Sequence, residues 1–346
     1  MEPVKRYTIK DIAEMASVSS TTVSRYINGQ YQYMSEDTRE RIRAIIEKCG
    51  YRPSLIARGL KQERSFLFGV VMPHIHNTLT ASTVIRGICR ACSSTPYNPI
   101  IASLEDDLEN EPVRIRQLLD HRVDGIISFT GCQNPIYKQI RESGMPIIAV
   151  DRYYSRCGLD GLVIDHYNAV MNLLKYLIDN GYTRIVMLMR EGVASPLSTV
   201  SIREKAFMDF HKQYFKHMPR LVYRLNGEME QIKLVLLTLK AKYPKERIAI
   251  FVPEMNLLQT VDWALKLVGM HYPDDIALCG YTLKEDPVNE FTAITTVSQS
   301  LDSLSQKAFE LLLEQMNGKQ KSSPEKIIMT AELNIRSSTE VKKRNI

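Results

Sequence analysis

One stretch of the sequence places hydrogen-bonding side chains on a single predicted helix face. Over residues 20–27, Val23 and Ile27 recur at the spacing of a helix side that faces a core. The polar side chains lie on the other side, and they are Ser20, Thr21, Ser24 and Arg25. An arginine can donate two hydrogen bonds to one guanine, whereas serine and threonine hydroxyls donate or accept with little selectivity. These residue types suit the recognition of a polar, anionic partner.

Two further helices are predicted beside this one. Thr8 and Asp11 have the spacing of a capping box, which predicts a helix over residues 8–15. Ser19 is placed to cap the helix described above, and Ser35 precedes a third helix. Two short helices joined by a tight turn form a helix-turn-helix, and three helices in about 50 residues suffice for a DNA-binding head. A small helical bundle of another kind is the alternative.

The positive charge is concentrated in the first fifth of the chain. The sequence has 346 residues, with 45 Lys and Arg against 39 Asp and Glu, and a formal net charge of +6. Residues 1–64 hold 12 of the basic and 8 of the acidic residues, so this segment carries +4 of the +6. A basic segment joined to a nearly neutral remainder indicates that the N-terminal part contacts a polyanion.

Composition excludes several classes of protein. With 44% hydrophobic and 24% charged residues, the chain is neither disordered nor collagen-like, and its length predicts two or three domains. The six cysteines are dispersed, and Cys89-x-x-Cys92 has no second C-x-x-C, so we expect reduced cysteines and no metal site. The start lacks a signal peptide, and no segment approaches the roughly 20 apolar residues of a membrane span, which predicts a soluble cytoplasmic protein.

A sugar-active or nucleotide-dependent enzyme is a competing class for a chain with an α/β core. The sequence contains no G-x-G-x-x-G, no G-x-x-x-x-G-K-[ST], no H-E-x-x-H and no G-x-S-x-G. We therefore expect no enzymatic activity and no cofactor.

From residue 66 onward, apolar runs alternate with helical segments. The runs predicted as strands are residues 67–72, 99–103, 125–129, 147–150, 161–164, 184–189, 221–225, 248–252, 276–280 and 327–335. Continuous apolar strands separated by helices predict parallel sheets that are covered on both faces. The fold class is therefore an α/β core with an all-α head, and ligand-binding residues are expected beyond the carboxyl ends of the strands.

Longer motifs surround the predicted helices and extend beyond them. They are Thr8-Ile9-Lys10-Asp11-Ile12-Ala13, Val18-Ser19, Thr22-Val23-Ser24-Arg25, Asn28-Gly29, Ser35-x-x-Thr38-Arg39 and Tyr51-Arg52-Pro53 with Ala57-Arg58-x-Leu60. These motifs resemble the LacI/GalR family of bacterial repressors, and the resemblance continues to Ser338. It implies a transcriptional repressor of carbohydrate or sugar-acid catabolism. Such a protein binds pseudo-palindromic operator DNA as a homodimer and responds to a small sugar-like effector.

The resemblance assigns DNA contacts within the head. Ser20, Thr21 and Arg25 match the base-reading positions of the family, and Arg25 is the strongest of them. Other residues match phosphate contacts, which fix register without reading sequence. They are Thr8, Ser19, Thr22, Ser24 and Asn28. For Thr8 and Ser19, helix capping alone is an equal alternative.

Two features of the head depart from the family pattern. Ser17 stands in the turn where glycine is usual, and it costs up to about 1 kcal/mol if the turn requires a positive φ. The connection over residues 30–34 is longer than usual by a residue. Its Tyr31 or Tyr33 could donate a hydrogen bond to a DNA phosphate.

Residues 51–64 are predicted to form a hinge between the head and the core. The segment 53–60 is too short for a stable isolated helix and contains Gly59, so its helix should form only on binding. By resemblance, Leu60 inserts into a minor-groove step of the operator. The hinge residues expected to contact DNA are Ser54, Ala57, Arg58 and Leu60. The alternative is an ordinary linker whose Leu60 packs on the core.

The resemblance also divides the chain into domains. A helix-turn-helix domain covers residues 1–50, and a periplasmic-binding-protein-like core covers residues 65–341. The core is expected as two doubly wound parallel-sheet lobes, with lobe 1 combining residues 66–162 and 293–322 and lobe 2 combining residues 163–290 and 325–341. The tail after Ser338 has no apolar heptads, so a dimer is expected and not a coiled-coil tetramer. A secreted sugar-binding protein of the same core fold is disfavoured by the basic head.

By resemblance, Arg203 is the strongest candidate for effector binding, because Arg203 and Phe207 match an R-x-x-x-F stretch of the family. A guanidinium can bond sugar hydroxyls or a carboxylate bidentately. The other positions expected to contact the effector are His74, Asn77, Leu79, Thr130, Arg152, His166, Glu254 and Thr282. For His74 and His166, a surface or strand-capping role is an equal alternative.

The class of effector is predicted from further departures. Glu254-Met255 and Thr282 stand where the family usually has Asn-Asp and the Asp of Gly-Tyr-Asp. Losing a carboxylate that accepts from sugar hydroxyls disfavours a neutral hexose, whereas Arg152 and Arg203 suit an acidic sugar. Short segments such as Asp151-Arg152 also resemble repressors of 2-keto-3-deoxygluconate use. The alternative is a phosphorylated sugar or a nucleobase that acts as a co-repressor.

Overall fold

The chain forms two compact units, Met1–Phe66 and Leu67–Ile346. The structure, a computed structural model, describes residues 7–51, 64–73, 75, 78–105, 107–152, 157–192, 198–286, 293–319 and 323–340. The predicted hinge helix over residues 53–60 lies outside the described residues, as do six predicted contact residues: Ser54, Ala57, Arg58, Leu60, His74 and Asn77.

The described part of the first unit is helical. Its elements are α1, Ile9–Met15, α2, Ser20–Ile27, a 3-10 helix, Tyr31–Tyr33, and α3, Glu36–Cys49. The capping box that begins α1 is present, since Thr8 N donates to Asp11 Oδ2 at 2.6 Å and Asp11 N donates to Thr8 Oγ1 at 3.3 Å. Ser19 and Ser35 cap α2 and α3 through the same kind of bond to a backbone N–H. The three helices predicted from capping and spacing are therefore confirmed.

A small apolar core joins the three helices. The residues buried at its centre are Ile12, Ala13, Ala16, Val23 and Ile42. The turn between α1 and α2 holds Ser17 at a φ of 51°. This is the left-handed conformation that glycine adopts without steric cost, so the turn does require the geometry that serine adopts less readily.

The second unit contains two six-stranded sheets covered by helices. Its strands are β1, Leu67–Met72, β2, Asn98–Ser103, β3, Ile126–Ser128, β4, Ile147–Val150, β5, Asp160–Ile164, β6, Arg184–Arg190, β7, Val222–Leu225, β8, Ile248–Val252, β9, Ala277–Leu283, β10, Thr295–Gln299, β11, Lys326–Met329, and β12, Glu332–Asn334. Its helices are α4, Thr78–Cys92, α5, Glu111–Asp120, α6, Ile136–Glu142, α7, His166–Asp179, α8, Thr199–Tyr214, α9, Met229–Lys242, α10, Met255–Leu267, and α11, Leu301–Met316, with a 3-10 helix over Leu108–Asn110.

Each sheet forms the centre of one lobe. Sheet 1, in lobe 1, has the order β11-β5-β4-β3-β1-β2, and sheet 2, in lobe 2, has the order β12-β10-β9-β8-β6-β7. The strands pair in parallel except for β12, which is antiparallel to β10. In lobe 2, α7 and α8 bury one face of the sheet while α9 and α10 bury the other. The predicted α/β architecture with a helical head is confirmed.

The chain crosses between the lobes at other places than predicted. The sequence assigns residues 293–322 to lobe 1 and residues 325–341 to lobe 2. In the structure β10 lies in sheet 2, with Val297 opposite Tyr281, and β11 lies in sheet 1 beside β5. Both assignments are wrong in part, since β10 belongs to lobe 2 and β11 to lobe 1, whereas α11 and β12 lie in the lobes predicted for them. A local sequence pattern does not specify the sheet that a strand joins.

The late strand predicted over residues 327–335 is also wrong in part, because it is two strands. β11 ends at Met329, and β12 begins at Glu332 in the other sheet. Ile327, Ile328 and Met329 lie in β11, whereas β12 contributes Leu333 between two polar residues. The scattered apolar residues after Met329 did not reveal the crossing between the lobes.

Helix α11 returns from β10 to lobe 1 and packs tightly against α4. A Cβ on Gly87 of α4 would lie 2.6 Å from the backbone oxygen of Asp302, so only glycine permits this approach. Arg86 and Arg90 donate to the Asp302 carboxylate at 3.2 and 3.0 Å. The end of β10, which borders the cleft between the lobes, is thereby anchored to lobe 1.

Candidate functional site

The outward face of α2 carries the predicted base-reading residues. Ser20, Thr21 and Arg25 are exposed on it, while Val23 is fully buried beneath. The structure thus brings these three polar side chains together on one helix, as the spacing predicts. Their contact with bases remains a prediction.

The side chains predicted to contact phosphates are largely engaged in capping. Thr8 Oγ1 donates to Asp11 Oδ2 at 2.8 Å, and Ser19 Oγ lies 2.9 Å from Thr22 Oγ1. At the other end of α2, Asn28 Nδ2 donates to the backbone oxygen of Ser24 at 2.8 Å. The capping alternative for Thr8 and Ser19 therefore has direct structural support, and a phosphate contact would add to it.

A cleft of about 540 Å³ lies between the lobes, at the carboxyl ends of the strands. Four residues predicted from the family line it, namely Arg152, Arg203, Glu254 and Thr282. Arg152 follows β4 in lobe 1, next to Asp151, whereas Arg203, Glu254 and Thr282 belong to lobe 2. Strand ends from both lobes converge here, as expected for ligand sites in open α/β sheets.

Arg203 is buried in the cleft wall with only part of its guanidinium satisfied. Its Nη1 donates to the backbone oxygen of Pro253 at 2.7 Å, and its Cζ lies 3.5 Å from the centre of the Tyr281 ring. Among the described residues, its buried Nε has no hydrogen-bond partner. Burial lowers the pKa of Arg203, although the nearby oxygens of Tyr281 and Asp151 oppose that effect. An arginine stays charged in proteins, so the wall of the cleft holds a cation with one unsatisfied buried donor.

His166 connects this arginine to the other lobe. Its Nδ1 lies 2.8 Å from the hydroxyl of Tyr281 and 3.5 Å from Nη2 of Arg203, and its Nε2 lies 3.3 Å from Oδ1 of Asp151. Burial and then the charge of Arg203 lower the pKa of His166, so the ring is neutral. An ionised carboxylate only accepts, so Nε2 donates to Asp151 and Nδ1 accepts from Tyr281.

Asp151 completes this network in lobe 1. Burial alone would raise the pKa of its carboxyl, but the hydrogen bond from His166 and the charges of Arg152 and Arg203 outweigh burial and lower the pKa. Its φ is 63°, a left-handed conformation that is unusual for a residue other than glycine. His166 itself is only 1% exposed, so the predicted alternative of a surface histidine does not hold. It lies behind the cleft wall and supports Arg203, Tyr281 and Asp151.

Glu254 is fully engaged by a neighbouring arginine. Arg190, the last residue of β6, donates its backbone N–H to Glu254 Oε1 and its Nε to Glu254 Oε2, both at 2.9 Å. The carboxylate of Glu254 is therefore neutralised within lobe 2 and leaves little capacity for sugar hydroxyls.

Besides His166, two predicted contact residues, Thr130 and Leu79, are not among the residues that line the cleft. Thr130 is 2% exposed and donates to the buried carboxylate of Glu111, beside the hydroxyls of Tyr137 and Ser128. This closed cluster inside lobe 1 turns Thr130 away from the ligand space. Leu79 is half-buried on α4, and its neighbour Thr80 lines the cleft instead.

Several residues that line the cleft were not predicted from the sequence. Arg190 and Gln299 are the last residues of β6 and β10, and Tyr281 lies in β9. Gln299 is 8% exposed, and its buried Oε1 has no hydrogen-bond partner among the described residues. The rule that ligands bind beyond the carboxyl ends of parallel strands would have selected Arg190 and Gln299 if applied to every strand.

Comparison with known proteins identifies the family. Residues 8–54 match "Bacterial regulatory proteins, lacI family", and residues 174–339 match "Periplasmic binding protein-like domain". The chain belongs to the LacI family.

Characterised relatives match this LacI-family chain along most of its length. The HTH-type transcriptional regulator KdgR of Bacillus subtilis (strain 168) is 27% identical over 336 residues, which cover 96% of this chain and 97% of that protein. PtxS of Pseudomonas putida (strain KT2440) is 28% identical, covering 97% of each chain. The repressor PurR of Vibrio parahaemolyticus is 28% identical, covering 90% of this chain and 93% of its own.

Solved structures show the same fold. A Lac repressor dimer bound to operator and an anti-inducer superposes with a TM-score of 0.81 at 20% identity, covering 97% of this chain and 100% of that one. A CelR–cellobiose complex superposes with a TM-score of 0.65 at 21% identity, covering 96% and 100%.

The family establishes the general function. Like these relatives, this LacI-family chain is a DNA-binding transcriptional regulator and not an enzyme. Among the described residues, no helix is long and apolar enough to span a membrane, and no group of three or more side chains has the composition of a metal site.

Proposed function

We propose that this regulator represses genes of carbohydrate or sugar-acid catabolism and that a small acidic sugar bound between the lobes controls it. The observation that carries the proposal is the spare donor of Arg203 in the cleft wall. A buried donor without a partner costs free energy, and an anionic ligand that accepts from it removes that cost.

The balance of charge in the cleft favours an anion. Arg190 is neutralised by Glu254, and Asp151 is shared between His166 and the nearby arginines. Arg203 has no carboxylate partner of its own among the described residues, and Thr282 offers a hydroxyl in place of a charge. An effector carboxylate can therefore bind Arg203 without competing with an acidic side chain at position 282. A phosphorylated sugar has the same anionic chemistry and remains the second candidate, whereas a nucleobase does not use the spare cation.

The arrangement of the arginines suggests how such a ligand acts. Arg152 belongs to lobe 1 and Arg203 to lobe 2, so one anion between them contacts both lobes. A ligand shifts a conformational equilibrium only by binding one state better than another. Binding to both arginines favours one relative angle of the lobes, and this angle would set the spacing of the two hinges on the operator.

Calorimetric titration of the full-length protein tests the proposed effector class. The probes are 2-keto-3-deoxygluconate, glucose, glucose 6-phosphate and hypoxanthine. We expect binding of 2-keto-3-deoxygluconate and none of glucose. Arg203→Lys keeps the charge but loses the planar donors, so it should weaken binding about tenfold or more. Arg116→Lys, on the exposed surface of α5, is the matched control. Binding of glucose alone would refute the proposal, and binding of glucose 6-phosphate or hypoxanthine alone would select the alternative.

We also propose that the protein acts as a homodimer on pseudo-palindromic DNA in the cytoplasm. One head offers few base contacts, and two heads on paired half-sites multiply both affinity and specificity. The adjacent helices α9 and α10 expose Leu234 at 65%, Leu237 at 50%, Trp263 at 59% and Leu267 at 66%. Four exposed large apolar side chains on two helices that contact each other suit burial against a second copy. Sedimentation equilibrium should give a dimer at micromolar concentration, and Trp263→Asp should shift it toward the monomer.

A further inference from the structure

The turn after α2 brings an aromatic ring to the proposed base-reading arginine. Cζ of Arg25 lies 4.8 Å from the centre of the Tyr33 ring, within the range in which a guanidinium is attracted to an aromatic face. Arg25 is exposed, and among the described residues its guanidinium forms no ion pair and donates no hydrogen bond. Within the described part of the chain, the Tyr33 ring therefore restricts where this long side chain lies, without competing for its donors.

The position of Tyr33 is fixed by the backbone of the turn. Gln30 N donates to the backbone oxygen of Arg25 at 2.9 Å, which ties the turn to the same residue whose side chain Tyr33 contacts. Met34 N donates to the backbone oxygen of Tyr31 at 3.2 Å and closes the 3-10 helix. The placement of the ring is thus a property of the turn and not of a free loop.

Tyr31, in the same turn, contacts the helices on either side of it. The ring of Tyr31 lies 4.2 Å from Cζ of Arg39 in α3, and its centre lies 5.7 Å from the ring of Tyr26 in α2. Tyr31 and Tyr33 therefore have different partners. Tyr31 packs between two helices, whereas Tyr33 extends to Arg25 and remains 59% exposed.

A contact between an aromatic face and a guanidinium leaves the hydrogen-bond donors of arginine unused. All five N–H groups lie in the plane of the guanidinium, and the ring contacts the face of that plane. Two of these donors can still reach O6 and N7 of one guanine. The ring contact reduces the freedom of the side chain before DNA binds, which is the general advantage of preorganisation.

We propose that Tyr33 is a positioning residue for base reading, whose ring holds the Arg25 guanidinium in the orientation that donates to a guanine. The proposal rests on the assignment of Arg25 as a base-reading residue. It gives the longer turn over residues 30–34 a role in sequence discrimination, distinct from the phosphate contact that the Tyr33 hydroxyl could make.

The test measures discrimination between two duplexes by the full-length protein. The wild type first selects its operator from a library of random pseudo-palindromic duplexes. Each G·C pair of the selected duplex is then replaced by A·T in turn. The pair read by Arg25 is the one whose replacement weakens binding of the wild type but not of Arg25→Ala. Fluorescence anisotropy at fixed salt gives the dissociation constants of each variant for both duplexes. Thermal unfolding confirms that each variant is folded.

Tyr33→Leu should reduce the discrimination at that pair by about two- to fivefold per head. Tyr33→Phe should keep the wild-type value, because the ring and not the hydroxyl makes the contact. In the Arg25→Ala background, Tyr33→Leu should have no further effect. The matched control is Tyr31→Leu in the same turn, which should change affinity for both duplexes equally and leave discrimination intact.

Three outcomes would overturn the proposal. If Tyr33→Leu leaves discrimination unchanged while Arg25→Ala abolishes it, the ring does not position Arg25. Tyr33→Phe could lose as much affinity as Tyr33→Leu, with a decrease in the salt dependence of binding that corresponds to about one phosphate contact. In that case the Tyr33 hydroxyl binds the DNA backbone instead. If Arg25→Ala alters no base preference, or no duplex is selected, the base-reading assignment fails and the role of Tyr33 fails with it.

Discussion

The proposed DNA-reading face of the head and the proposed effector cleft of the core are built in opposite ways. Ser20, Thr21 and Arg25 stand exposed on a single helix, and one backbone element sets their spacing. In the cleft, Arg203 and His166 are buried and come from different helices, and each is held by contacts with Tyr281 or Asp151. The first surface is available to solvent until a ligand covers it, whereas the second is part of the interior of the fold.

This difference predicts how the two regions tolerate change. An exposed side chain that few neighbours contact can be removed with little effect on folding. A buried charge or hydrogen-bonded histidine contributes to stability as well as to binding, since its removal leaves partners unsatisfied. Substitutions in the head should therefore separate binding from stability, and substitutions in the cleft should couple them.

The largest expected effect is the loss of binding in Arg25→Ala. Each bidentate arginine–guanine contact contributes about 1–3 kcal/mol of discrimination, so operator affinity should fall at least about thirtyfold for the two heads together. Because Arg25 is exposed, the free energy of unfolding should change by less than about 1 kcal/mol. Anisotropy with operator and with unrelated DNA measures the first effect, and urea unfolding measures the second. A uniform loss on both DNAs would assign Arg25 to a phosphate and not to a base.

The same difference explains what could be predicted from the sequence. In the head, Thr8, Ser19 and Ser35 were predicted as caps because a cap bonds a backbone N–H within three residues along the chain. The position of Arg25 follows from the period of the helix. The contacts of Tyr31 and Tyr33 were missed, since their distances depend on the path of the turn over residues 30–34 and not on residue spacing.

In the core, the elements could be predicted but their partners could not. Thr130 was assigned to the cleft by its match to a loop position of the family, yet its hydroxyl donates to Glu111, which lies 19 residues away in the sequence and inside lobe 1. β11 was recognised as part of a late strand and β10 was not predicted as a strand. Both segments were placed in the wrong lobe, because pairing with β9 or β5 is decided by the fold as a whole. Non-local contacts of this kind leave no periodic pattern in a single sequence.

A smaller effect is expected from pH, through His166. Burial and the charge of Arg203 lower its pKa in the folded protein below the ordinary value of 6.5. Below that value the unfolded chain binds a proton that the folded chain excludes. The free energy of unfolding should therefore fall as pH decreases below 6.5, by up to about 1.4 kcal/mol per pH unit, until the folded-state pKa is reached. Asp151 does not contribute in this range because its pKa is lowered from 3.8.

Urea unfolding between pH 8 and pH 5.5 measures this dependence. His166→Gln should be less stable than the wild type at pH 8, yet its stability should fall less steeply toward pH 5.5. Some slope should remain, since burial also lowers the pKa of His211. His217→Gln, at an exposed position, should keep the wild-type slope. An unchanged slope in His166→Gln would show that His166 does not contribute to the pH dependence of the free energy of unfolding.

The smallest expected effect lies back in the head, at Ser17. Its φ of 51° is accessible to glycine without steric cost, and nothing in the reading face depends on its exposed side chain. Ser17→Gly should therefore raise the free energy of unfolding of the head by up to about 1 kcal/mol while operator affinity stays the same. Ser24→Gly is the matched control, because the same replacement inside α2 removes a helix-favouring side chain and should destabilise the head by about 0.5–1 kcal/mol. If Ser17→Gly also weakened operator binding, the separation between folding and recognition in the head would be incomplete, and Ser17 would belong to the DNA-binding surface.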